Sequence, residues 1–234
     1  MSKPAAVVIL LFLGFGCCSV AGNNFTRVNV DFFVMSKCPD AVYVETLLDP
    51  VLQELKGILA LNMRMVPGEK KTDGSYACKH GSTECAGNIQ DLCVQQYTRV
   101  PQRYNWLYKF VMCCNSMDMY YIGDVETATT CLKEAKIPDV AATKIMACIA
   151  DPGKDEMLQK DLRNTAALGV QKSCTIKVEG KYICLRDGGQ WKDCPGGTNP
   201  EDFKAIFCAA FAAKNNGRMP RVCQVPRRTP LTAP

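Results

Sequence analysis

The sequence has a single histidine, His80, among 234 residues. That scarcity argues against a nucleophilic triad, and His80 alone is a poor basis for a metal site. After the N-terminal segment, no apolar run is long enough to cross a bilayer. The pairs Gly188-Gly189 and Gly196-Gly197 match no phosphate-loop pattern and read as turn glycines. Net charge is only +5, which does not suggest nucleic acid. The most telling gap is local. In Met35-Ser36-Lys37-Cys38-Pro39-Asp40-Ala41, a thiol-disulfide enzyme would carry Cys-x-x-Cys, yet Ala41 stands where the second cysteine belongs.

Cysteine itself is abundant, with 15 in the chain. The N-terminus explains the context. Lys3 is the only charge in residues 1–21, an apolar run fills 5–16, and Ser19-Val20-Ala21 has the small-x-small form of a cleavage site. A signal peptide cut near Ala21 is expected. Its removal takes Cys17 and Cys18, leaving an odd number of cysteines in a chain routed to an oxidising compartment. One thiol at least is then free, reactive or intermolecular, and a disulfide-linked dimer becomes an option. Asn24-Phe25-Thr26 is the only glycosylation sequon, at Asn24. The expected location is the secretory pathway, lysosomal or extracellular.

Hydrophobic spacing sets the fold class. Residues 28–35 alternate as a strand, 41–56 carry a helical apolar stripe, and 59–66 return to alternation. This predicts a parallel βαβ unit, with Pro50 kinking or restarting the helix. Residues 67–77 read as a polar loop. Helices are predicted at about 84–98, 102–116, 125–136, 139–150 and 155–167. Strand character reappears at 174–178 and 181–185 around a Glu179-Gly180 turn, followed by a Gly-rich loop and a helix at about 200–213. The order βαβ, helical insertion, ββα is that of an α/β protein with a thioredoxin-like fold and a disulfide-rich helical insertion. The expected organisation is a signal peptide at 1–21 and a thioredoxin-like domain from 22–72 and 169–213. The insertion takes 73–168, and a basic, Pro-containing, mobile tail takes 214–234.

Cys38 falls between a strand end and a helix start. Unpaired N–H groups and a partial positive charge at such a helix terminus favour a thiolate there. Pro39 suits the first helical turn. The competing reading makes Cys38 half of a structural disulfide. Cys78, Cys85, Cys93, Cys113, Cys131 and Cys148 are structural disulfide candidates within the helical region. Cys113 and Cys114 are adjacent, so one is expected to be structural and the other spare. Cys184 and Cys194 should staple a loop, and Cys208 and Cys223 should tie the last helix to the tail. The aromatic residues Tyr104, Trp106, Tyr108, Tyr120 and Tyr121 are expected to pack rather than form a platform.

Residues 78–93, Cys-Lys-His-Gly-Ser-Thr-Glu-Cys-Ala-Gly-Asn-Ile-Gln-Asp-Leu-Cys, resemble the signature of the gamma-interferon-inducible lysosomal thiol reductase (GILT) family. That signature is Cys-Gln-His-Gly-x-x-Glu-Cys-x-x-Asn-x-x-x-x-Cys. Only Lys79 departs, where the family has Gln. The resemblance runs from about Val28 to about Phe211. It implies a thioredoxin-like fold, reduction of protein disulfides, no cofactor, and catalysis by Cys-x-x-Cys at the position of Cys38 and Ala41. Cys38 matches the nucleophile, whereas Ala41 departs from the resolving cysteine. Aligning 175–180 with the family's strand puts Cys174 where such folds carry a cis-proline facing the catalytic turn. Cys174 is therefore a candidate resolving thiol, with pairing to Cys184 or another cysteine as the alternative. The expected function is reduction of disulfide-bonded proteins through Cys38, resolved by Cys174 or by a small thiol such as glutathione. The rival is a secreted binding module of the same fold that has lost catalysis, motivated by Ala41.

Overall fold

The computed structural model describes residues 25–224. The expected cleavage segment, Asn24 and residues 225–234 lie outside these residues. The chain begins with β1 (Val28–Val34), α1 (Pro39–Leu55) and β2 (Leu59–Met65), and β1 and β2 pair in parallel. Strand β1 buries Val28, Val30, Phe32 and Val34 on one face; on the other, Phe33 is buried while Asn29 is exposed and Asp31 half-buried. Helix α1 buries Ala41, Val44, Glu45, Leu48, Val51, Leu52 and Leu55, a stripe of three- and four-residue spacing.

Pro50 neither kinks nor restarts α1, which is continuous through it. The proline is exposed, while Leu48, Val51 and Leu52 around it are buried. Packing of that stripe outweighs the one backbone hydrogen bond the ring removes.

A helical region follows: α2 (Ser82–Tyr97), a π-helical turn (Tyr104–Tyr108) leading into α3 (Lys109–Ser116), α4 (Val125–Glu134), α5 (Asp139–Ala150) and α6 (Lys154–Ala167). The helix expected over 102–116 is thus split. Disulfides tie the region internally. Cys78–Cys85 closes the entry to α2, Cys93–Cys148 joins α2 to α5, and Cys113–Cys131 joins α3 to α4. Cys114 is unpaired. Tyr104 and Tyr108 are buried and stacked, but Tyr120 and Tyr121 are 76% and 52% exposed, so the expected aromatic packing fails for that pair.

The chain returns to the sheet with β3 (Thr175–Val178), β4 (Lys181–Asp187) and β5 (Gln190–Lys192), and ends in α7 (Pro200–Lys214). The sheet order is β2-β1-β3-β4-β5, with β3 antiparallel to β1. Glu179 and Gly180 both have positive φ, the backbone a two-residue hairpin needs. Strand β5 replaces part of the expected Gly-rich loop. Gly188 and Gly189, also at positive φ, turn β4 into it, and Cys184–Cys194 staples the strand pair.

Residues 215–224 do not form the expected mobile tail. Asn215 is buried and its side chain bonds both backbone groups of Thr26 at 2.8 and 2.9 Å. Cys223 is bonded to Cys208 of α7. Among the described residues, no helix is long and apolar enough to cross a membrane.

Candidate active site

Cys38 is the N-cap of α1, with extended backbone at φ −92° and ψ 119°, and Pro39 follows in the first turn. Its N–H donates to the Met35 carbonyl at 2.9 Å, and its own carbonyl accepts from Val42 at 3.1 Å. The residue is 8% exposed and its Sγ lies 3.9 Å from the Ser173 carbonyl oxygen. Cys174 is the next residue, immediately before β3. The Ser173–Cys174 peptide is cis, and Cys174 is fully buried. Neither Cys38 nor Cys174 is in a disulfide. The remaining candidates, Cys78, Cys85, Cys93, Cys113, Cys131, Cys148, Cys184, Cys194, Cys208 and Cys223, are all paired.

Ala41 lies on the buried stripe of α1 at 2% exposure. The free thiol that approaches the Cys38 turn comes instead from the start of β3. Burial pushes the Cys174 thiol well above its ordinary range, and the nearby Glu45, Cys38 and Asp40 push the same way. Cys174 is thereby held protonated while Cys38 sits at a helix terminus.

Two sets of contacts fix these segments. Cys174 exchanges both backbone hydrogen bonds with Arg186, at 2.9 and 3.0 Å. The Arg186 guanidinium stacks 3.5 Å from the Tyr43 ring centroid. Its Nε lies 3.2 Å from Asp40 Oδ1, an ion pair without hydrogen-bond alignment. Asp40 also accepts from the N–H groups of Gly188 and Gly189, at 2.8 and 3.0 Å. The Cys38 turn is thus bolted to the β4–β5 hairpin that carries the partner of Cys174.

The second set comes from the Cys78–Cys93 segment. Asn88 Oδ1 accepts from Ser36 N at 2.9 Å, and the Glu84 carbonyl accepts from the Ser36 hydroxyl at 3.1 Å. Glu84 is fully buried against His80 Nδ1. So Glu84 and Asn88 of that stretch hold the turn before Cys38 rather than a metal. Among the described residues, no group of three His, Cys, Asp or Glu side chains is placed to ligate one. Gly87 completes this contact, because a Cβ there would sit 2.5 Å from Ser36 Oγ and 2.9 Å from Ile122 Cγ2. Gly87→Ala is expected to cost about 1–3 kcal/mol and to change the rate at which a thiol probe labels Cys38. Denaturant titration and timed alkylation of the variant measure the two effects.

Beneath the turn lies a buried polar cluster that sequence reasoning missed. Glu45 is 3% exposed and its Oε2 accepts from Asn115 Nδ2 at 2.6 Å. Burial raises its pKa to about 7, with the Asn115 bond working against the rise. Asp91 is buried beside it and raised by burial and by Glu45's charge. Both line a cavity of about 10 Å³, at the threshold for one water molecule. Cys114 lines it too. Burial, reinforced by Asp91 and Glu45, pushes its thiol far up, which makes it an inert structural cysteine. The available signal was a glutamate at position 45 inside the apolar stripe of α1.

A sheet of this order, with α1 following β1 and a helical region inserted before β3, is a thioredoxin-like fold. Residues 29–135 match the model of the family "Gamma interferon inducible lysosomal thiol reductase (GILT)", so that stretch of the chain is similar to this family. Solved structures share the fold at low identity. Reduced DsbG, a disulfide bond oxidoreductase from Mycobacterium tuberculosis, is 16% identical, with 86% of this chain and 88% of that one covered at a TM-score of 0.54. Oxidised DsbA of the same organism is 18% identical, with coverage of 86% and 89% and a TM-score of 0.54. Oxidised BdbD from Bacillus subtilis is 14% identical, with coverage of 81% and 90% and a TM-score of 0.52. A search of curated proteins returned no match.

Proposed function

We propose that this protein reduces disulfides in protein substrates, with Cys38 as the attacking thiol and Cys174 as the resolving one. The observation that carries the reading is the 3.9 Å approach of Cys38 Sγ to the Ser173 carbonyl, one residue from an unpaired Cys174. Cys38, as thiolate, attacks one sulfur of the substrate disulfide. A Cys38–substrate bond forms, and the other substrate sulfur leaves and takes up a proton. Cys174 then gives up its proton and attacks Cys38 Sγ, releasing the second substrate thiol. Two electrons have passed to the substrate, and the protein holds a Cys38–Cys174 disulfide. Two equivalents of a small thiol such as glutathione reduce it again.

The high proton affinity of Cys174 supports this order of attack, since a buried protonated thiol does not compete for the first step. Five disulfides support residence in the oxidising secretory route, either lysosomal or extracellular. The unpaired cysteines among the described residues are all buried, which weighs against a disulfide-linked dimer.

Mild oxidation of the purified protein followed by non-reducing peptide mapping tests the pairing. The expected product links Cys38 to Cys174 and leaves Cys114 as the remaining thiol. Cys38 and Cys174 both staying free, or joining other cysteines, would overturn the two-thiol mechanism and favour the binding-module reading suggested by Ala41.

A further inference from the structure

We infer that the groove beside Cys38 receives an acidic stretch of the substrate chain, so that disulfides flanked by Asp or Glu are the preferred substrates. This rests on the reductase reading above and specifies its substrate class. A cavity of about 530 Å³ has Met35, Glu69, Lys70, Tyr76, Lys79 and Gln171 in its walls. It adjoins both segments of the site. The Met35 carbonyl accepts the Cys38 N–H, and Gln171 lies two residues before Ser173, whose carbonyl approaches Cys38 Sγ. A substrate chain with one sulfur at Cys38 therefore has this groove as a path for its flanking residues.

The wall is built rather than loose. Residues 67–77, a polar loop by sequence, fold back on themselves. Gly68 N–H donates to the Ala77 carbonyl and Ala77 N–H to the Glu69 carbonyl, each at 2.9 Å. Gln159 of α6 bonds both backbone groups of Tyr76 at 2.8 Å. Lys70 lies over the Tyr76 ring, 6.0 Å from its centroid. Lys79 is held next to the Cys78–Cys85 disulfide.

The charge of this wall is unspent. Two ammonium groups face one carboxylate, Glu69, and among the described residues neither Lys70 nor Lys79 is ion-paired. Other lysines near the site are engaged. Lys172 pairs with Asp187, and Lys37 bonds Thr83 Oγ1 and the Tyr120 carbonyl. An Asp or Glu in the substrate gains partners that an Asn or Gln does not.

The test uses two quenched-fluorescence cystine peptides, identical except for Asp/Glu or Asn/Gln flanking the disulfide. They are reduced by the mature protein with a small thiol at low and high salt. Each lysine contributes about two- to fivefold to kcat/KM on the acidic peptide. The expected preference for the acidic peptide is about tenfold at low salt, shrinks at high salt, and falls toward one in K70Q/K79Q. Equal rates on both peptides, or a preference that survives in K70Q/K79Q, would overturn the inference. If the protein reduces neither peptide, the reductase reading fails instead. Fluorescence anisotropy of the labelled acidic peptide then tests the groove alone: binding that K70Q/K79Q loses supports it, and no binding overturns it.

Discussion

Cys38→Ser is expected to lower disulfide-reductase activity by about 10³-fold or more, because the mixed disulfide has no other sulfur on which to form. The other free thiols are poor substitutes. Cys174 and Cys114 are buried with raised proton affinity, so neither offers a thiolate to an approaching substrate. The change is small sterically, since a serine hydroxyl fits the N-cap position and can itself cap the helix. Loss of activity without loss of stability is therefore the signature to look for, by reduction of a fluorescent disulfide protein and by denaturant titration. Cys174→Ser separates the steps. It should still form the Cys38–substrate bond, but only an external thiol can then resolve it. A covalent adduct should accumulate at low thiol and be visible on a non-reducing gel. Unchanged turnover in Cys38→Ser would end the reductase reading, whereas unchanged turnover in Cys174→Ser would end only the assignment of Cys174.

Local pattern carried much of the fold. Alternation in 28–35 and 59–66 and the stripe in 41–56 specify β1, β2 and α1, because one face of β1 and one face of α1 are buried along their length. Boundaries failed where tertiary contacts override propensity. Pro50 passes through α1 on the solvent side. Strand β5 exists because Asp40, 148 residues before Gly188, catches the turn that precedes it. At the site, the positions of Cys38 and Cys174 were legible, one from a strand-to-helix switch and one from alignment of the returning strand. The groups that hold them were not. Asp40 with Arg186, and Asn88 with Ser36, meet only through the sheet order and the packing of α2, which no sequence spacing reveals. Glu45 is the instructive miss. A single acid in an apolar stripe reads as an imperfection of the helix, yet the fold buries it within a polar cluster under the Cys38 turn.

That burial predicts a protein more stable in acid than at neutral pH. The Glu45 carboxyl rises from an ordinary 4.5 to about 7 on folding, chiefly through burial. Between these values the folded state holds a proton that the unfolded state releases, so unfolding releases protons and stability falls as pH rises. The contribution is fully present below about pH 4.5 and is lost as pH passes through about 7. A gap of this size corresponds to a loss on the order of 3 kcal/mol. Asp91 is shifted in the same direction and adds to the trend. Opposite shifts occur at Asp73 and Asp187, but these are surface carboxylates whose contribution is lost only as pH falls through their lowered values. They leave the window from about pH 4.5 to 7 to the buried acids, Glu45 first, with Asp91 and Asp161 raised in the same direction by burial. Urea titrations at pH 5.0 and pH 7.5 should give a higher midpoint in acid. Glu45→Gln keeps an acceptor for Asn115 but cannot ionise, so it should flatten the dependence and raise the midpoint at pH 7.5. A wild-type midpoint that is equal or higher at pH 7.5 would refute the assignment. The expected trend suits a protein that works in an acidic compartment, where the buried acid stays neutral beneath Cys38 and Cys174.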